Sequence, residues 1–337
     1  MKTYFPNYYN AFSCKAEKCS LSCCSTWEIS VDGTTCNRWK KYGLQGHIED
    51  GISGKIIALC DNGNCPFLSE NKLCNMYISH GEEAMPEACR IFPREEHFFR
   101  DRCEKTLLPG CEAVLELLWN GDGFEIHCDG DGPAIDNELF RLKQRCIDII
   151  SDDRYSLREA MRRIYALLTG YDSECEEMSA TEIFIERNSL VQDVFSEYCE
   201  KGAYPEFVTS IYEYCEDMLN FTEEDVAAMN TDYRDVRIRN DEKLRLLIAE
   251  EIAFNLVIPG METVEDMILK YQWLAIQYAC IVHCVMIYND MGISDLTGIV
   301  VHVFRMTGYT IDDIEDYLQS SFENIIWGMD YFNMIIS

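Results

Sequence analysis

Cysteine constrains this chain more than any other residue type. Eleven of the 18 cysteines lie in the first 111 residues, and they fall in groups. The chain opens with Cys14-x4-Cys19-x3-Cys23-Cys24, and a second group follows as Cys65-Pro66-Phe67-Leu68, Cys74, Cys89 and Cys111. A trans peptide aims the side chains of Cys23 and Cys24 apart, so each needs a partner elsewhere. Thiolates gathered from several loops are what a soft metal ion or an iron–sulfur cluster requires.

A chain of 337 residues can bury a large core without disulfides. No apolar segment of signal-peptide type follows Met1. The longest apolar stretches, near Ala279–Tyr288 and Gly298–Phe304, are too short to cross a bilayer. The expectation is a cytoplasmic protein with no membrane contact, whose cysteines are metal ligands or free thiols. Charge is uneven. Residues 1–111 carry 13 Lys and Arg against 14 Asp and Glu, whereas residues 112–337 carry 16 against 45. The second half, at net −29, would repel phosphates and argues against nucleic acid. It suits a lysine-bearing protein partner. The plainer reading is an acidic surface that keeps the chain in solution.

Alternating Trp27, Ile29 and Val31 predict a strand over Thr26–Val31. One or two short helices are expected around Trp39 and Ile48. Residues 60–111 are punctuated by glycine and proline and read as loops organised by ligands. Helical spacing begins near Glu112–Leu118, is interrupted by Gly121–Gly132, and then dominates. Helices are expected near 135–149, 157–168, 180–200, 205–219, 241–257, 263–289, 293–306 and 311–327, with Ser294-Asp295 and Thr310-Ile311-Asp312 as starts and Asp172–Glu177 as a loop. The predicted fold is mainly α: an irregular cysteine-rich metal-cluster module over 1–118, followed by an acidic α-helical domain over 133–337.

Eight cysteines sit beside turns or loops and are the candidate ligands: Cys14, Cys19, Cys23, Cys24, Cys65, Cys74, Cys89 and Cys111. Structural zinc sites favour paired C-x2-C knuckles, and this chain has none. The looser spacing and the surplus over four lean towards an iron–sulfur cluster, 4Fe-4S first, with zinc as the alternative. Cys36, Cys60, Cys103 and Cys128 read as spare thiols. Cys280, His283 and Cys284 share a helix face, but within the apolar run Leu274–Ile287 they read as core. No dinucleotide-binding, P-loop, zinc-protease or nucleophile-elbow motif occurs.

In order along the chain, Phe12-Ser13-Cys14, Cys19-x3-Cys23-Cys24, Trp27-Glu28-Ile29 and Asp32 resemble the opening of the bacterial flagellin lysine-N-methylases. Cys65-Pro66-Phe67-Leu68, Leu73-Cys74, Gly81-Glu82-Glu83-Ala84, Cys89 with Phe92-Pro93-Arg94, and Cys111-Glu112 continue the resemblance. Leu139–Leu168 and Leu244–Tyr278 are similar more loosely. A family of zinc- or iron-chelating modules shares the cysteine elements. Two positions depart from the methylase pattern: Phe92, where tyrosine is usual, and Gly110, where serine is common.

The resemblance implies an iron–sulfur enzyme that uses S-adenosylmethionine to methylate surface lysines of flagellin or a similar protein. Such chemistry needs a neutral amine, obtained by desolvation or proton removal. Trp27, Tyr8, Tyr9, Phe92 and Phe98 are candidates for an aromatic slot, although each residue type is more often core. Asp32 is a candidate to orient the amine and Arg94 to pair with a carboxylate; both equally suit ion pairing within the loops. The residues name no general base. The alternative is a non-catalytic metal-binding or redox module that engages a protein partner through its acidic helices.

Overall fold

A computed structural model describes residues 1–25, 29–51, 54–132, 135, 137–171, 179–200, 204–308, 314, 317–318 and 328–337. Helices dominate it, as expected. The cysteine-bearing segment contributes short ones: α1 (Gly33–Tyr42), α2 (Asn75–His80) and α3 (Glu87–Ile91), followed by α4 (Glu112–Asn120). The helical body comprises α5 (Glu138–Ile150), α6 (Leu157–Thr169), α7 (Ala180–Glu200), α8 (Pro205–Met218), α9 (Glu223–Arg239), α10 (Asp241–Phe254), α11 (Val264–Asp290), α12 (Leu296–Met306) and α13 (Met329–Ile335). Helix α11 is buried almost all round, and α6, α7, α9, α10, α12 and α13 pack against it. Among the described residues no helix is long and apolar enough to cross a membrane.

A four-stranded sheet is the main departure from the predicted fold. Its order is β4 (Arg94–Phe98), β5 (Arg102–Leu107), β1 (Lys2–Pro6), β6 (Ile126–Asp129). β1 runs parallel to β5, with Thr3 opposite Cys103, and antiparallel to β6, with Tyr4 opposite Cys128. A small hairpin pairs β2 (Ile48–Gly51) with β3 (Gly54–Ile57), so Ile48 begins a strand and not a helix. Of the strand predicted over Thr26–Val31, residues 26–28 lie outside the described residues. Its remainder pairs with β3 through Val31 N–H to Lys55 O and Ile57 N–H to Ile29 O. Asp295 caps α12 as predicted, accepting from Gly298 N–H at 2.7 Å. The predictions for Asp172–Glu177 and for nearly all of 311–327 fall outside the described residues.

Two apolar clusters result. The smaller comprises Val31, Trp39, Ile57, Cys65, Met76 and Ala84, with Trp39 donating its indole N–H to Ala84 O at 2.7 Å. The larger runs from Phe5, Tyr8, Tyr9 and Leu107 through α4 into the helical body. Sheet and helices also meet through charge. Glu104, 1% exposed on β5, accepts from Arg102 Nε at 2.6 Å and from Lys143 Nζ of α5 at 2.7 Å. Arg102 in turn lies 3.7 Å over the Phe99 ring. Removing one partner of such a network leaves the others charged and buried. Glu104→Ala is expected to cost about 3–5 kcal/mol, measured by urea unfolding; a loss below ~1 kcal/mol, the range of a surface pair, would show that the network is not a structural tie.

Candidate functional site

Five of the eight predicted ligands surround one apolar cavity of about 290 Å³: Cys23, Cys24, Cys65, Cys74 and Cys89. Local backbone chemistry puts them there. Cys65 N–H donates to Cys24 O at 2.8 Å, and Ser25 Oγ to Asn64 Oδ1 at 2.7 Å, so the first cysteine segment lies alongside the second. Leu68 bridges to Cys74 across a tight turn that places Lys72 in the left-handed region. Cys74 then caps α2, and Cys89 comes from α3. Trp39, Phe67 and Phe92 supply aromatic wall. Burial pushes the Cys65 thiol up to about 11 and the Cys89 thiol up to about 12, with neighbouring thiols adding to both. Cys23 is raised further, by hydrogen bonding to Cys24 and by burial.

Cys111 caps α4 beside this group, close enough for its charge and that of Cys23 to interact. Cys19 lies next to Cys111 and Glu112. Cys14 is exposed and accepts from Ala16 N–H at 3.4 Å; it does not line the cavity. Among the described residues, no three Cys, His, Asp or Glu side chains converge tightly enough to grip a single ion.

Glu112 organises the loop before Cys23. Its carboxylate accepts from Lys15 Nζ, from Ser20 N–H and Oγ–H at 2.8 and 2.6 Å, and from Leu21 N–H at 3.1 Å. Arg305 of α12 completes the attachment. It donates to Gly110 O at 2.9 Å, Ser22 O at 3.1 Å and Leu21 O at 2.8 Å, fastening the segments that lead into Cys23 and Cys111.

The other predicted site residues have different surroundings. Trp27 lies outside the described residues. Asp32 caps α1, accepting from Thr35 N–H at 2.8 Å and Thr35 Oγ–H at 2.6 Å, and accepts from Glu87 N–H at 3.1 Å, tying α1 to α3. Arg94 lies 4.8 Å over the Phe12 ring. No single aromatic slot forms from the described candidates: Phe92 lines the cysteine cavity, Tyr8 and Tyr9 belong to the larger core, and Phe98 is exposed. Cys280, His283 and Cys284 are buried in α11, as expected of core residues, and burial depresses His283 to about 3.

A second cavity, of about 270 Å³, has Arg305 in its wall. Its ionisable lining is Glu95 and His97 of β4, Glu251 of α10, Lys270 of α11 and Arg305. Burial raises Glu251 to about 7, Asn255 and Lys270 pull it down, and Glu95 opposes them. Neighbouring Glu250 is raised well above the carboxyl range by burial and by Glu251. Burial depresses Lys270 against the pull of Glu251 and Glu95. Buried acids with raised affinity for protons, beside a lysine with lowered affinity, make this a candidate functional cleft. The Glu250-Glu251 pair inside a helical run was the sequence signal for this cavity, but acids one residue apart on a helix are usually surface.

The Glu112 hub gives a pH-dependent expectation. Burial alone would raise its carboxyl, but Lys15, Ser20 and the backbone of Leu21 outweigh it and hold the group at about 2. A depressed folded value means that its stabilisation is full above the ordinary value of 4.5 and is lost as pH falls towards 2. Glu112→Gln should cost about 1.5–3 kcal/mol at pH 7. The difference from the parent should shrink below pH 4.5, read from urea midpoints across pH. A difference independent of pH would refute the carboxylate's role.

No protein-family model matches the chain, and no solved structure matches it. Three curated proteins do. Over 127 aligned residues, 34% of this chain, it is 29% identical to "Flagellar biosynthetic protein FliU" of Salmonella muenchen, covering 75% of that protein. Over the same length it is 28% identical to proteins named "Lysine-N-methylase" of Salmonella choleraesuis and of Salmonella typhimurium. The aligned segment spans about a third (32%) of the length of each of those two. The chain is thus similar, over a third of its own length, to flagellar biosynthetic and lysine-N-methylase proteins.

Proposed function

We propose that the chain is a protein-lysine N-methyltransferase that uses S-adenosylmethionine, carries an iron–sulfur cluster and acts on flagellin or a similar lysine-rich surface protein. The observation that supports this most is the convergence of Cys23, Cys24, Cys65, Cys74 and Cys89, from three separate stretches of sequence, on one apolar cavity. The names of the similar proteins agree with it. The donor set fits a cluster: soft thiols, an apolar aromatic wall, and a space several times the ~30 Å³ share of one liquid water. Cys23, Cys65, Cys74 and Cys89 are the proposed ligands, with Cys24 and Cys111 adjacent. A bound cluster would supply cross-links among loops that have little regular structure of their own. In the reaction the lysine nitrogen attacks the sulfonium methyl. A carbon–nitrogen bond forms, the carbon–sulfur bond breaks, and the amine surrenders one proton. The acidic body, net −29 over residues 112–337, favours approach of a cationic substrate.

Protein purified without oxygen should contain iron and sulfide in equal amounts. Cys65→Ala and Cys89→Ala should each lose most of both, while exposed Cys128→Ala keeps them. Zinc without sulfide would overturn the cluster. The methylase reading is tested by transfer of a labelled methyl group from S-adenosylmethionine to flagellin. Its kcat/KM should fall as ionic strength rises and the ~10 Å screening length at 0.1 M shortens. No transfer with the metal centre intact would favour a metal-binding module that engages a protein partner without catalysis.

A further inference from the structure

We propose that the cavity between β4, α10 and α11 binds a zwitterion, the α-ammonium and α-carboxylate of an amino acid. Resting on the methylase reading above, the ligand is the amino-acid end of S-adenosylmethionine. Glu251 is 9% exposed and lines this cavity; its Oε1 receives no N–H or hydroxyl donor, and its carboxyl is hydrogen-bonded to that of the adjoining Glu250. Its other oxygen is held by Asn255 Nδ2 at 3.0 Å. Lys270 lines the same cavity and makes no hydrogen bond or ion pair among the described residues. The two feel each other's charge without forming a salt bridge. A lysine left unpaired beside an acid pair in one cleft is costly unless something between them answers both.

A ligand carrying both signs on one carbon does so, its ammonium towards Glu251 and its carboxylate towards Lys270. A simple cation, such as a lysine side chain, would satisfy Glu251 and be repelled by Lys270. A simple anion would meet the reverse. Glu95 strengthens the ammonium side, and its carboxylate lies 3.5 Å from His97 Nε2. His97 is itself positioned by Phe254 O, 3.0 Å from Nδ1. Burial and the neighbouring Glu251 raise the proton affinity of Glu250 next door. The remaining wall, with Leu108, Pro109, Leu256, Leu274 and Phe304, suits the apolar remainder of such a ligand.

The test is calorimetric binding to the full chain as purified without oxygen, so that no turnover is needed. The probes are S-adenosylhomocysteine, 5′-methylthioadenosine (which lacks the amino-acid end) and a lysine-containing peptide. S-adenosylhomocysteine should bind the parent. Lys270→Met and Glu251→Gln should each weaken it at least tenfold, as loss of a charged hydrogen bond does. Lys270→Arg, which keeps the charge, should restore most of the affinity and shows that the position tolerates change. Exposed Glu265→Gln should bind as the parent does. Methylthioadenosine should bind parent and variants equally. If the variants bind S-adenosylhomocysteine like the parent, the zwitterion assignment is wrong while the methylase reading stands. If the parent does not bind S-adenosylhomocysteine, both are wrong. If the parent binds the peptide and the Glu251 and Lys270 variants lose that binding instead, the cavity is an amine pocket and the zwitterion is refuted.

Discussion

One guanidinium, that of Arg305, reaches from the last turn of α12 to three backbone carbonyls in two separate loops. Those carbonyls belong to residues with few regular partners, and buried backbone oxygens need donors. A planar fork with five N–H groups can serve three at once in a fixed geometry; an ammonium would not hold them in one plane. The segments entering Cys23 and Cys111 are anchored by this contact. Leu21 and Ser22 lead directly into Cys23, and Gly110 into Cys111. The same side chain lines the second cavity. Its charge also favours the thiolate forms of Cys23 and Cys111 against the burial that opposes them.

The helical body was legible because its signal is packing at helical spacing, and that signal is local. Helix α7 occupies the predicted range, and α8, α10, α11 and α12 end within about a turn of theirs. Helix α9 was passed over although it carries a full capping box, Thr222 with Asp225, and buries Val226, Met229, Tyr233 and Val236. Its exposed face is so charged that the apolar stripe is thin. The sheet was illegible for a different reason. On β5 the residues turned towards the helices are Arg102, Glu104 and Thr106, which find partners in Lys143 and Glu250. A strand whose buried face is polar does not alternate as period-two reading requires. Parallel pairing of β1 with β5 also joins residues about a hundred positions apart, beyond the reach of any local pattern.

The two cavities show the same division. The cysteine cavity was foreshadowed by residue type, because crowded thiols in loops have few other uses. Sequence could not say which of eight would line one space, and Cys14 does not. The second cavity was hidden because its ionisable residues come from a strand and three helices that meet only in three dimensions. Glu251 and Lys270 owe their unusual surroundings to burial, which no composition reveals.

The first strand of the chain sits inside the sheet, between β5 and β6, and not at its edge. During synthesis, residues 2–6 leave the ribosome long before their neighbours at 102–107 and 126–129 exist. At ribosomal speeds of about 5–20 residues per second, the interval is on the order of ten seconds. The whole cysteine segment is made within that interval, as a loop with one end already waiting. Its thiols are therefore made before the sheet can close over the base of the loop.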